Sequence, residues 1–520
     1  MLLAFERCDF MIKNTSKAIT SSEMNALELN AEYLGVSALQ LMENAGHAVS
    51  LEVAARFKSS DSVIVVAGVG RKGGDGFVAA RHLASRGFKV TVILMSKPED
   101  IVSENAKKNW ESIVRMRDTV KTIIVYGSSL ISKLDAKVII DALLGFGVSG
   151  PLRSPLLQAV KAINKSKAFK VAIDLPTGVN PDNGQILGDA VVADLTVTFH
   201  RPKVGLLKAS KYVGELSVAG IGIPREAETY VGPGDVLIVR KPRPTESHKG
   251  DFGRLLIIGG NETFAGAPTL VALAALRVGV DLAYVAAPNK TAHDIASMAP
   301  DLITVKLEGE HLNPRNVEVI EEWLKRSDAV VFGPGIGLHE DTVKAVGEVI
   351  SVIGKAKKPL LLDADALKAF PRSKRKIDFP VVFTPHSGEF EILTGKTPPK
   401  ELQKRVECVQ EAAKTLKAVI LLKGPVDIIS NGEAVKLNFA HNPGMTVGGT
   451  GDVLSGIVGA FLAQGFDPFR SAVAGAFVNG AAGDFVARET GYHMMPTDLI
   501  KWIPTVIDDP MSHLKVRQKT

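Results

Sequence analysis

The stretch Ser62–Leu94, SVIVVAGVGRKGGDGFVAARHLASRGFKVTVIL, decides the fold. Ser62 to Ala67 is a short apolar run rich in β-branched residues. A glycine-rich turn follows, then Asp75 to Arg86 reads as a helix and Lys89 to Leu94 as a second strand. A strand, a helix and a strand in about thirty residues form the unit that builds a parallel sheet. Val138 to Leu143 and Lys170 to Leu175 repeat the strand pattern. Such alternation predicts a parallel sheet with helices on both faces. Ligands of these sheets bind outside the carboxyl ends of the strands.

The same style recurs beyond a proline-rich join. The first region runs to about Pro224, and a linking segment carries Pro233, Pro242 and Pro244. The second region begins in earnest at His248. Its strands are expected at Arg254–Ile258, Ala329–Phe332, Pro359–Leu362, Val381–Thr384 and Ala418–Leu422, with a long helical pattern after Asp452. The expected organisation is two α/β domains, residues 1–227 and 228–520. A chain of 520 residues is long enough for that.

Composition narrows the function classes. The hydrophobic fraction of 46% supports large buried cores. A net charge of +6 is small for this length, and no basic stripe is interleaved with aromatics, which argues against nucleic acid. The run Ser373-Lys374-Arg375-Lys376 reads as a solvated loop. Cys8 and Cys408 lie far apart without metal-type spacing, so a reducing cytosol fits better than a disulfide framework. Met1 to Lys17 is broken by Glu6, Arg7, Asp9 and Lys13 and does not read as a signal peptide. Pro268–Pro288, the most hydrophobic stretch, contains Arg277 and Asp281 and reads as a buried helix and strand. A cytoplasmic protein without membrane contact is expected.

Three strand-end loops carry the chemistry of the first domain. Gly68-Val69-Gly70-Arg71-Lys72-Gly73-Gly74-Asp75-Gly76 opens a helix, where backbone N–H groups can cradle a phosphate; a tight strand–helix connection is the plainer alternative. The others are Asp141 through Leu144, Gly145, Phe146, Gly147, Val148, Ser149, Gly150 and Pro151, and Asp174-Leu175-Pro176-Thr177-Gly178. Asp141 and Asp174 sit at or near the ends of buried strands, where a carboxylate must be solvated, paired or functional. Each alone could be a turn cap. Together they outline a crevice.

Residues Ile19 to Ile223 resemble the NAD(P)H-hydrate epimerase family. The resemblance rests on Leu41-Met42-Glu43-Asn44-Ala45-Gly46, Gly73-Gly74-Asp75-Gly76, Asp141-Ala142-Leu143-Leu144-Gly145, Asp174-Leu175-Pro176-Thr177-Gly178, Ala193 to Phe199 and Pro202-Lys203-Val204-Gly205-Leu206. It implies a Rossmann-like three-layer αβα domain acting on a hydrated nicotinamide nucleotide. Arg71 to Asp75, Gly145 to Pro151 and Asp174 would contact that substrate. A carboxylate such as Asp174 could transfer the proton and stabilise the cationic ring. One departure stands out. The family has two asparagines where this chain has Arg71 and Lys72, and the second helps hold K+ with the residues matching Asp141 and Thr177. Three readings stay open: the Lys72 ammonium replaces the ion, it faces solvent or a substrate phosphate, or the domain has lost activity.

In the second domain the strongest signal is Asn442-Pro443-Gly444-Met445-Thr446-Val447-Gly448-Gly449-Thr450-Gly451-Asp452. A glycine turn opening a helix gathers N–H donors at the positive helix end, an anion hole for a phosphoryl group. Asp452 beside it could accept a hydroxyl proton. Further blocks follow the strands: His248 to Gly253, Gly259-Gly260, Ala265 to Pro268, Gly333-Pro334-Gly335-Ile336-Gly337, Asp363-Ala364-Asp365, Thr384 to Glu389, and Leu422 to Asp427. His386 could equally be a hydrogen-bonded loop residue, and Lys423 an ordinary strand-end cation.

From about Val231 to Asp508 these blocks resemble, in order and wording, the ADP-dependent NAD(P)H-hydrate dehydratase family, which is ribokinase-like αβα. The resemblance implies that Ala267, Gly335, His386 and Asp452 contact the hydrate. Lys423, Gly424, Pro425, Val426, Asp427 and Gly451 would contact the nucleotide. Glu389 sits where related kinases organise Mg2+, through water. The implied reaction repairs NADHX and NADPHX, with ADP as cosubstrate. The rival enzyme reading is a ribokinase-like small-molecule kinase with an accessory nucleotide-binding domain. A scaffold without activity fits poorly with the intact Asp75, Asp141 and Asp174 loops. Exposed helices of the second domain could pack into a homotetramer.

Overall fold

The computed structural model describes residues 17–125, 134–146, 150–373 and 377–517. Gly147, Val148, Ser149, Cys8 and Lys374-Arg375-Lys376 therefore lie outside the described residues. The chain divides into two compact units, Met1–Pro224 and Arg225–Thr520.

The first unit is built on a seven-stranded, wholly parallel sheet. Its strands are β1 (Ser62–Ala67), β2 (Lys89–Leu94), β3 (Val120–Ile124), β4 (Val138–Ala142), β5 (Phe169–Ile173), β6 (Leu195–Phe199) and β7 (Glu215–Ala219). The order is β3-β2-β1-β4-β5-β6-β7, so the chain reverses direction across the sheet between β1 and β4. Alternate residues of β1 face opposite layers. Val65 lies under Gly76 of the helix Arg71–Ser85. Val66 packs instead with Ala159, Val160 and Ile163 of the helix Leu156–Lys165. These are the two helical layers of a three-layer sandwich.

The helix after β1 begins at Arg71, four residues earlier than the glycine pattern predicts. The glycines do not prolong the turn; they let the helix come close. A Cβ at Gly73 would lie 2.0 Å from the Gly68 carbonyl, one at Gly74 2.6 Å from Met42 Sδ, and one at Gly76 2.5 Å from Ala142 Cβ.

The second unit holds a nine-stranded sheet: β8 (Arg254–Ile258), β9 (Leu282–Pro288), β10 (Ile303–Leu307), β11 (Ala329–Phe332), β12 (Leu360–Leu362), β13 (Val381–Phe383), β14 (Val419–Leu422), β15 (Asp427–Ser430) and β16 (Val435–Asn438). The order is β10-β9-β8-β11-β12-β13-β14-β15-β16. The pairs β14–β15 and β15–β16 are antiparallel and the rest parallel. Every residue of β11, β12, β13 and β14 is buried, as strands covered on both faces must be. Pro233, placed by sequence in a linker, opens the helix Pro233–Ile238, where its missing N–H costs nothing. Among the described residues no helix is long and apolar enough to cross a membrane.

Candidate functional site

Each sheet reverses direction once, between β1 and β4 and between β8 and β11. Each reversal opens a crevice at the strand ends.

At the first crevice Asp141, the fourth residue of β4, is fully buried. Its Oδ1 accepts from the Leu143 N–H (3.1 Å) and the Thr177 hydroxyl (2.6 Å). Its Oδ2 accepts from the Thr177 N–H (2.7 Å) and from Lys72 Nζ (3.1 Å). Lys72 Nζ also donates to the Leu175 carbonyl (2.7 Å) and to Thr177 Oγ1 (3.1 Å). The ammonium thus sits among three oxygens from β4 and the loop after β5. Burial pulls the Lys72 pKa down, and the Asp141 charge and hydrogen bond oppose that pull.

Asp174 follows β5 with a left-handed backbone, φ 60°, an uncommon conformation for a side chain other than glycine. Its Oδ1 accepts from Lys203 Nζ (2.5 Å), the Thr198 hydroxyl (3.0 Å) and the Phe199 N–H (3.3 Å). Lys203, entirely buried, also donates to the Phe199 carbonyl at 2.9 Å. Two further acids share the field. Burial, and then the charges of Asp174 and Glu28, hold the Asp75 carboxyl well above the usual carboxylate range. Burial also raises Glu28, although Arg71 opposes it. Glu28 belongs to the helix Ser21–Tyr33 and binds Arg71 at 2.7 Å. Sequence reasoning assigned no role to Glu28 or Lys203. The Lys203 signal was a lysine inside the quoted run Pro202 to Leu206; Glu28 left none, because it lies on a helix far from any strand end.

Gly145 approaches Lys72, and a Cβ there would lie 3.6 Å from Lys72 Cβ. Phe146 packs on Leu175 and Leu206, with Lys203 Nζ 5.4 Å over its ring. Arg71 leans out to Glu28 and Asn25 and is exposed. Gly150 and Pro151 are exposed at the far side of the same loop.

At the second crevice the helix Thr450–Ala463 starts from Gly449, whose φ of 99° suits glycine. Asp452 stands in its first turn. Burial lifts its pKa to about 7; Asp363 adds to the rise and Lys423 opposes it. Lys423, just past β14, donates to Asp363 Oδ1 at 3.1 Å and lies 3.9 Å from Glu389. Asp363 is buried, and its Oδ2 accepts from Ser455 at 2.7 Å. A Cβ at Gly451 would come within 3.4 Å of Lys423 Nζ, so both nucleotide candidates meet here. Ala267 and Gly335 also meet, with a Gly335 Cβ 3.6 Å from Ala267 Cβ.

His386 caps the helix Ser387–Thr394, its Nδ1 accepting from the Gly388 and Glu389 N–H groups at 3.1 and 3.2 Å. Glu389 returns the bond to the His386 N–H at 3.0 Å. In the loop after β14, the Gly424 N–H donates to Asp427 at 3.0 Å; Pro425 is exposed and Val426 half-buried. Arg405 faces this loop from the helix Leu402–Leu416, another residue sequence reasoning missed. A Cβ at Gly424 would lie 2.9 Å from Arg405 Nη2, and the buried Arg405 Nε finds no acceptor.

Two family models match the chain: YjeF-related protein N-terminus over residues 38–205, and NAD(P)H-hydrate dehydratase over residues 255–505. The bifunctional NAD(P)H-hydrate repair enzyme Nnr of Pyrobaculum aerophilum is 46% identical, over 94% of this chain and 98% of the relative. Its counterpart from Hyperthermus butylicus is 44% identical over 95% and 93%. A solved ADP/ATP-dependent NAD(P)H-hydrate dehydratase from Bacillus subtilis, co-crystallised with ATP/Mg2+, is 26% identical; it covers 54% of this chain and 99% of its own, with a TM-score of 0.46.

Proposed function

Since the chain belongs to the bifunctional NAD(P)H-hydrate repair enzymes, we propose a division of labour between its two crevices. The first unit epimerises the hydrate; the second dehydrates it to the reduced coenzyme, with ADP as phosphoryl donor. The observation that carries this reading is Asp452: a carboxyl with a pKa of about 7 in the first turn of a glycine-headed helix, beside Lys423. Such a group can hold and release a proton at neutral pH.

In the second unit, Asp452 takes the proton of the ring hydroxyl. The freed oxygen attacks the terminal phosphorus of ADP, and AMP leaves. The N–H groups at the head of the helix Thr450–Ala463 stabilise the transferring phosphoryl group. Phosphate then departs with the former hydroxyl oxygen, pushed by the ring nitrogen, and loss of a ring proton restores the dihydropyridine. Ala267, Gly335 and His386 border the hydrate. Lys423 to Asp427, Gly451 and Arg405 hold the nucleotide, Arg405 offering its unsatisfied N–H to a phosphate or base. Glu389 fits an indirect role toward Mg2+, because its Oε2 is committed to the His386 N–H and its Oε1 faces His386 Nε2 at 3.4 Å. A magnesium ion keeping its waters would be reached through one of them and would supply charge neutralisation at the phosphates.

In the first unit, departure of the protonated hydroxyl leaves a cationic ring, and water returns to either face. Asp174 transfers the proton and stabilises the cation, beside Asp75, whose carboxyl burial holds well above the usual range. Arg71 to Asp75 and Gly145 to Pro151 border the substrate. The Lys72 ammonium stands where a potassium ion would need the same oxygens, and we infer that it substitutes for the ion. The join has a chemical reason: damage yields both hydroxyl epimers, the dehydratase takes the S form, and the epimerase feeds it the other. Both substrates are soluble dinucleotides, in keeping with a cytoplasmic enzyme.

The test is to incubate the purified chain with mixed hydrate epimers, ADP and Mg2+ and follow reduced-nicotinamide absorbance. Complete conversion with release of AMP and phosphate is expected. Half conversion would mean a silent first unit, and retention of a phosphorylated product would favour the kinase reading.

A further inference from the structure

Just past the Gly333–Gly337 loop, the second unit carries a cluster the repair chemistry does not use. His311, His339 and Asp341 bring one ligand atom each to within 4.8 Å of one another. His311 Nε2 is 4.0 Å and His339 Nδ1 3.9 Å from the same Asp341 Oδ2. The two imidazoles overlap, with centroids 3.7 Å apart. We propose that His311, His339 and Asp341 form a binding site for a divalent transition-metal ion of the zinc class.

The donor set argues for this class. Two imidazoles and a carboxylate suit Zn2+ and its neighbours, whereas Mg2+ and Ca2+ prefer oxygen throughout. Metal–ligand bonds of about 2.0–2.2 Å put ligand atoms about 3.4 Å apart in a tetrahedron. The three ligand atoms lie within 4.8 Å of one another, so binding would draw them closer. The backbone is prepared too. The Asn313 amide holds the His311 carbonyl at 3.2 Å. His339 Nδ1 accepts the Asp341 N–H at 3.3 Å as the cap of the helix Glu340–Lys355, a long bond that the ion would have to displace. All three side chains are partly exposed, which leaves an entry path and an open coordination position for water.

A bound ion would staple the turn after β10 to the head of that helix, just beyond the Gly333–Gly337 loop. Ligands that bind only the folded state raise stability by mass action.

The experiment uses full-length, untagged, chelator-treated protein and ZnCl2 alone. Calorimetry should show a zinc equivalent, with a Tm increase and no competition from excess Mg2+. Co2+ should give visible d–d absorption bands. His311→Ala should weaken zinc binding by at least about tenfold, or ~1.4 kcal/mol. His339→Asn keeps a good helix cap while removing the imidazole, and should do the same. The assignment is overturned if wild-type protein takes up no zinc at roughly 100 μM, a concentration that still detects binding near −5.5 kcal/mol, or if both variants bind as wild type does.

Discussion

Lys72 and Asp141 form a 3.1 Å ion pair sealed from water, with side-chain exposures of 4% and 0%. Taking two charges out of water is costly, and removal of one partner leaves the other buried and alone, at about 3–5 kcal/mol. Asp141 keeps three other hydrogen bonds, so the lower end applies. Lys72→Met should destabilise the first unit by about 3 kcal/mol. Hydrogen exchange in the helix Arg71–Ser85 would read this locally.

The same pair predicts an ion response. With the ammonium in place, exchange of K+ for Na+ should change wild-type epimerase activity by less than about twofold, within ordinary screening effects. Lys72→Asn should lose activity in sodium buffer and regain part of it in potassium. Strong potassium dependence of the wild type would defeat the substitution idea.

Asp174 and Lys203 offer a test that separates the two activities. Asp174→Asn keeps the shape but removes the charge that Lys203 balances. Epimerase activity should fall by about 10²–10⁴, the usual worth of a positioned acid or base. Dehydration of the S epimer should be untouched. Mixed epimers would then stop near half conversion, and full conversion would acquit Asp174.

Asp452 sets a pH profile. Below its pKa of about 7 the base is protonated, so dehydratase kcat/KM should fall tenfold per pH unit, with a plateau above. Stability should move the other way. The folded pKa is raised, so the folded state binds the extra proton between about 4 and about 7, and stability declines as pH rises through that window. Asp452→Asn should abolish ADP-driven recovery and flatten that decline, measured as Tm against pH.

The fold was legible where apolar runs end in glycine. Ser62–Ala67, Lys89–Leu94, Arg254–Ile258 and Ala329–Phe332 are strands with the predicted bounds. Less legible were β3, β7 and β10, which mix exposed and half-buried residues and lack that contrast. The helix start at Arg71 was hidden because glycine serves close packing as well as turns. The crevice loops could be found because their acids and glycines are contiguous in sequence. Glu28 and Arg405 could not, since each reaches its crevice from another element through tertiary packing alone; Lys203 stood in the quoted run Pro202 to Leu206, but only the packing pairs it with Asp174.

Arg405 supplies the remaining prediction. Its Nε is buried without an acceptor, burial lowers its pKa, and Asp427 only partly offsets that. Its Nη2 reaches Ser387 at 3.3 Å, a long bond for a guanidinium. A cation left so poorly satisfied beside Gly424 gains more than usual from an anionic ligand. Charged hydrogen bonds contribute about 1.5–3 kcal/mol, so Arg405→Ala should raise the KM for ADP at least about tenfold. The KM for the hydrate should barely move, since the proposed hydrate side of the crevice is the one at Ala267 and Gly335. Arg405→Lys should rescue only part, since lysine lacks the planar fork. Steady-state kinetics with each substrate varied in turn would decide. Equal losses for both substrates would reduce Arg405 to a prop for the loop.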